Sequence, residues 1–117
     1  GLSMNRDEIL AADDLPTDTF TVPVWGEVTI RTLDGEQREE LENLIQNFKA
    51  RGASKKSVRA LAAVYSLVNK GTIDPMFKVE DATLLAKKSG VVLDTIFDRV
   101  LKLNAMTKAE AEAISGN

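Results

Sequence analysis

Few side chains in this chain of 117 residues can do covalent or acid–base chemistry, because it holds no histidine and no cysteine. The commonest general base, the commonest metal ligand and every thiolate are therefore missing, which removes disulfide frameworks and most hydrolase and metalloenzyme chemistry. Two charged clusters and two aromatic rings remain. Glu36, Glu39, Glu40 and Glu42 crowd one short stretch, and paired carboxylates can exchange protons. At helical spacing, however, they describe a solvated face, and no nucleophile with a base, phosphate-cradling glycine loop or ligand cluster accompanies them. No enzyme activity, cofactor or metal is expected. The second cluster is basic: Lys49, Arg51, Lys55, Lys56 and Arg59 surround an Arg51–Ser54 turn. It suits an acidic protein segment, either a partner's or this chain's own acidic N-terminus. Nucleic acid is the weaker reading, since no aromatic residues interleave the cations and the whole chain is acidic. Trp25, the single tryptophan, and Tyr65, the single tyrosine, are the possible aromatic anchors.

The net charge of −3 conceals strong segregation. Residues 1–48 carry −8, residues 49–70 carry +6 with no acid among them, and residues 71–117 carry −1. Solvated faces with intramolecular attraction would produce such blocks, and so would a binding surface for an acidic partner. The length corresponds to one domain burying roughly two-thirds of its unfolded surface. No apolar run approaches the roughly 18 residues of a membrane span, and the acidic start lacks the order of a signal peptide. A soluble intracellular protein without a membrane partner is expected.

The element that must organise these residues is Val58–Val68. Val58, Leu61, Ala62, Tyr65 and Val68 recur on one helical face, while Ala60, Ala63, Val64 and Leu67 make the flanks apolar as well. Such a helix is central, and its small residues admit close neighbours. Lys55, Lys56 and Arg59 stand in its first turns, where the macrodipole disfavours positive charge, so local stability does not select them. Ser54 is the expected cap, and Lys70-Gly71 the stop.

Ahead of it, residues 1–19 read as an acidic flexible arm, with residues 1–3 a possible tag scar, and residues 20–117 as a single domain. Phe20–Leu33 alternates on both sides of Trp25-Gly26 and predicts a β-hairpin, with Phe20, Val22 and Val24 on one face, answered by Val28 and Ile30. Pro23 confines the first strand to an edge, and a hairpin alone is marginal, so it must pack on a helix or join another strand. Asp34 caps the next helix, whose inward stripe is Leu41, Leu44, Ile45 and Phe48, ending at Arg51-Gly52. Beyond the central helix, Ile73, Met76 and Phe77 can plug the core, Val79–Ser89 is a short helix with Leu84 and Leu85 inward, and Gly90 separates it from Val91–Asn104. That last helix buries Leu93, Ile96, Phe97, Val100 and Leu101 and stops at Asn104. Thr107-Lys-Ala-Glu110 forms a capping box for a final helix through Ile114. The fold class is mainly α: four to five helices with an N-terminal two-stranded hairpin, α+β by strict count.

Three stretches carry a resemblance: the arm Ile-Leu-Ala-Ala-Asp-Asp-Leu-Pro16; Val22-Pro-Val-Trp-Gly-Glu-Val-Thr-Ile-Arg-Thr-Leu33 running into Asp-Gly-Glu-Gln-Arg38; and Val92-Leu-Asp-Thr-Ile-Phe-Asp-Arg-Val-Leu-Lys-Leu-Asn-Ala-Met-Thr107 with its terminal Gly-Asn. In this order, from Asp7 to Asn117, they resemble the tail assembly chaperones of long-tailed bacteriophages and prophages with non-contractile tails. The resemblance implies a non-enzymatic protein of the host cytoplasm. It implies binding to the tape measure protein, recruitment of major tail tube subunits, self-association around the client, and absence from the finished virion. It also implies a longer frameshifted form, of which this chain would be the short one. A groove beside the central helix, rimmed by Lys55, Lys56 and Arg59 with Trp25 and Tyr65 as anchors, is the expected client surface. A virion structural protein at the minor tail or head–tail joint and a small nucleic-acid-binding regulator are the rival classes.

Overall fold

A computed structural model describes residues 3–12, 14–47 and 55–106. The chain opens on α1 (Arg6–Ala11), started by a capping box in which the Asn5 side chain accepts from Glu8 N–H while the Glu8 carboxylate accepts from Asn5 N–H. Then come β1 (Thr17–Val22), β2 (Gly26–Arg31), α2 (Gly35–Asn47), α3 (Lys55–Ser66), β3 (Leu67–Val68), a 3-10 turn at Val79–Asp81, α4 (Ala82–Leu85) and α5 (Gly90–Leu103). The architecture is the expected one, mainly helical with an N-terminal hairpin. No helix among the described residues is long and apolar enough to cross a membrane.

The hairpin pairs Thr17 with Arg31 through to Val22 with Gly26, so pairing begins inside the segment expected as an arm. The β-branched Thr17 and Thr19 carry it there: Thr19 and Thr29 share a 2.9 Å hydroxyl hydrogen bond across the strands, and Thr32 N–H donates to the Pro16 carbonyl. A third strand joins. The central helix ends at Ser66, short of the expected Lys70, and Leu67-Val68 pair antiparallel with Ile30 and Thr29. Both residues are buried, Leu67 with the helices and Val68 beside the chain at Pro75, so extending them completes the sheet without exposing apolar surface.

The core is a layer of helices on the inner face of this sheet. From α3, Val58, Ala60, Ala62, Ala63, Val64 and Tyr65 are buried, against Leu41 and Ile45 of α2 and Val92, Ile96, Phe97, Val100 and Leu101 of α5. Val22, Ile30 and Leu67 close it from the sheet. The all-round apolar character of α3 therefore has its predicted cause: α2, α4 and α5 all pack on it.

Four local expectations are corrected. Val24 belongs to the turn rather than to the inward face of the first strand, and is 94% exposed. Leu84 points to solvent at 60% exposure, because the Val79–Ser89 region makes only a 3-10 turn and a single helical turn, which bury Leu85 instead, and Met76, 44% exposed, follows the Val68–Pro75 bridge with its N–H donating to the Leu67 carbonyl. Gly90 is the first residue of α5, whose cap is Ser89 with its hydroxyl accepting from Val92 N–H. Asp34 caps α2 as expected, in a reciprocal box with Gln37. Phe48, the Arg51-Gly52 stop, the Ser54 cap and the Thr107–Ile114 helix lie outside the described residues.

Candidate functional site

The site residues chosen from sequence divide between the two ends of the domain. Contacts along α5 fix its direction against the hairpin. Arg99 donates to Asp18 with Nε to Oδ2 at 2.9 Å and lies 4.6 Å from the Phe20 ring centroid. One turn further on, the Asn104 side chain accepts from Leu33 N–H at 2.8 Å, just past the end of β2. The helix thus runs along the strands, its C-terminus at the open end of the hairpin and its N-terminus toward the turn. The helix α3 shares that sense: Arg59 and Asp94, each in the second turn of its helix, form a 2.8 Å ion pair, while β3 directly after α3 pairs with Ile30.

Trp25, the start of α3 at Lys55 and Lys56, and Arg59 consequently gather at the turn end. Trp25 is half-buried and packs on the core with one side. The Arg59 side chain is 26% exposed and committed to Asp94 of α5. Tyr65 is elsewhere, the penultimate residue of α3 and buried in the core. Burial, with a hydrogen bond to and the charge of Glu40, pushes its hydroxyl far above the ordinary tyrosine range. Lys49 and Arg51 of the basic cluster lie outside the described residues.

The described residues also form an open cleft of about 640 Å³, bounded by Pro16, Thr19, Thr29, Lys70 and Thr72 on the outer side of the sheet. Neither Trp25, Arg59 nor Tyr65 lines it. Its lining combines Leu15, Pro16 and Ile73 with four threonines and Asp14, Lys70 is tied to Glu27 at 3.0 Å, and among the described residues no group of acids or other ligands is placed to hold a metal. Nothing in it resembles a catalytic constellation.

Sequence reasoning missed two residues. Arg31 is buried at 7% exposure, with Nη2 3.3 Å from Gln37 Oε1 and its Nε without a partner among the described residues. Val24 is the second. Trp25 N–H donates to the Pro23 carbonyl at 2.8 Å across Val24, whose φ is +73°, closing a γ-turn of the strained hand on a β-branched residue. The Pro23-to-Gly26 sequence signals a turn, but does not say which residue takes the strain.

No protein-family model matches the chain, and no curated protein does. Its fold is that of a solved structure, the tail assembly chaperone of bacteriophage HK97, with a TM-score of 0.62 at 19% sequence identity over 83% of this chain and 94% of that one. At that identity the likeness defines the architecture.

Proposed function

We propose that this chain is a phage tail assembly chaperone, a non-enzymatic protein of the infected host's cytoplasm that binds the tape measure protein, keeps it soluble and helps recruit tail tube subunits. The single observation that carries this reading is the shared fold with the HK97 chaperone over 83% of this chain and 94% of that one. The residues support it independently, since exposed apolar side chains together with segregated charge suit a protein that covers another chain rather than one that transforms a small molecule. Self-association belongs to the same reading: β1 is an edge strand of the β1-β2-β3 sheet, and an edge can pair with a further strand. Sedimentation showing only monomer at high concentration would remove that part.

The test is co-expression with the tape measure protein encoded alongside it. Soluble client co-purifying with the chain is the expected result. An insoluble client, with this chain alone in solution, would overturn the proposal, and recovery of the chain from purified particles would replace it with a virion structural role.

A further inference from the structure

Val24 is the residue whose identity the fold does not explain. At 94% exposure it gains nothing from burial, and at φ +73° it holds a conformation that glycine or asparagine adopts far more readily than a β-branched side chain. Gly26, also at positive φ, stands two residues away, so the turn already uses glycine where the backbone demands it. A rare conformation on a side chain that serves no packing marks a position kept for contact outside the molecule.

The surroundings specify the contact. Behind Val24 the half-buried Trp25 seats the turn on the core, so the valine is presented from a fixed base. Val91, 65% exposed at the start of α5, stands at the same end. The helices α3 and α5 both reach this end with their N-termini, neither has an acid in its first turn, and α3 opens on Lys55-Lys56. Two acids here are already neutralised, Asp94 by Arg59 and Glu27 by Lys70. The end is therefore an apolar projection in a positive field.

We infer that the hairpin tip is a docking knob, with Val24 inserting into the apolar stripe of an amphipathic helix whose flanks are acidic, supplied by the tape measure client. This rests on the chaperone reading and names the surface and the client chemistry. Charge complementarity selects that occupant: an acidic-flanked stripe is attracted to the α3 and α5 N-termini, whereas a basic one is repelled.

Co-expression of the client with wild-type chain, Val24→Gly and Val24→Asp, together with thermal unfolding of each chain alone, tests it. Val24→Gly relieves the turn and is expected to raise Tm by about 4 °C or more. The same variant is expected to retain at least about tenfold less client, and Val24→Asp less again. Retention by wild type should fall as salt is raised. A more stable Val24→Gly chain that holds as much client as wild type overturns the knob and leaves the chaperone reading intact, whereas failure of wild type to hold the client overturns both. Salt-independent retention overturns the acidic flank, and a Tm lowered by Val24→Gly overturns the strain.

Discussion

The two ends of this domain are built on opposite terms. At the open end of the hairpin, Asn104 closes α5 and joins three elements. Its side chain accepts from Leu33 N–H and donates to the Val100 carbonyl at 2.7 Å, while its own carbonyl accepts from Arg38 Nη1 at 2.7 Å. Ala105 takes φ +52° so that the chain can turn and Met106 N–H can reach the Leu101 carbonyl. There the strained residue contributes to a helix stop with satisfied hydrogen bonds. At the turn end the strained residue is Val24, which projects outward and closes only its own turn. Strain at one end serves the fold and at the other serves nothing inside it. The fold is tied where hairpin, α2 and α5 converge, whereas at the opposite end, among the described residues, Val24 stands clear of the core.

The sharpest break of that contrast is Asn104→Ala. It removes two buried hydrogen bonds and leaves Leu33 N–H unpaired, and a cost of about 2–3 kcal/mol is expected. Denaturant titration, read as a midpoint shift at unchanged slope, measures it. A loss below about 0.5 kcal/mol would mean that the open end is not the tied one.

Tyr65 supplies a pH-dependent version of the same contrast. Its folded-state pKa is raised, by burial first and then by Glu40, so the native state holds its proton where the unfolded chain releases it. The stabilisation is complete below the ordinary tyrosine pKa of 10.0 and is lost as pH climbs past it toward the folded value. Wild type should weaken with alkali above about pH 10, and Tyr65→Phe should lose that part of the pH dependence. As the chain's single tyrosine, Tyr65 should show its tyrosinate absorbance rising together with unfolding and not before it.

The extent to which this was legible from sequence follows from the range of each interaction. The stripes Leu41, Leu44, Ile45 and Leu93, Ile96, Phe97, Val100, Leu101 could be read because helical periodicity is local, as could the Asp34 cap and the Asn104 stop. The reach of Asn104 to Leu33 could not, because it joins residues 71 apart. The third strand was hidden for a related reason: Leu67 and Val68 continue the apolar pattern of α3, and only the bare edge at Thr29 and Ile30 makes them extend. Val24 misled the alternation because the strand had already ended at Val22. Of the site residues, the basic start of the central helix was visible from its charge, but the commitment of Arg59 to Asp94 depends on how α3 and α5 are aligned. The burial of Tyr65 was implicit in its place on the packed face, against its use as an exposed anchor.

Two ion pairs, one at each end, carry the contrast to smaller effects. Asp18 and Arg99 are joined at 2.9 and 3.3 Å through two nitrogens, with the guanidinium over Phe20, and their side chains are 30% and 41% exposed. Paired hydrogen bonds and a ring contact place their worth near the upper end for surface pairs, so Asp18→Asn should cost about 1 kcal/mol. Arg59 and Asp94 meet at 2.8 Å through one nitrogen, with Asp94 half exposed. Its screened carboxylate contributes less, and Asp94→Asn should cost about 0.5 kcal/mol, shrinking further in high salt. Yet Asp94 neutralises a cation at the turn end, so its removal should strengthen the field there. The same substitution should therefore weaken the fold slightly and increase retention of an acidic-flanked client at low salt. If Asp94→Asn instead destabilised the chain as much as Asn104→Ala, the turn end would be a second structural tie, and the division of the domain into a fastened end and a presented end would fail.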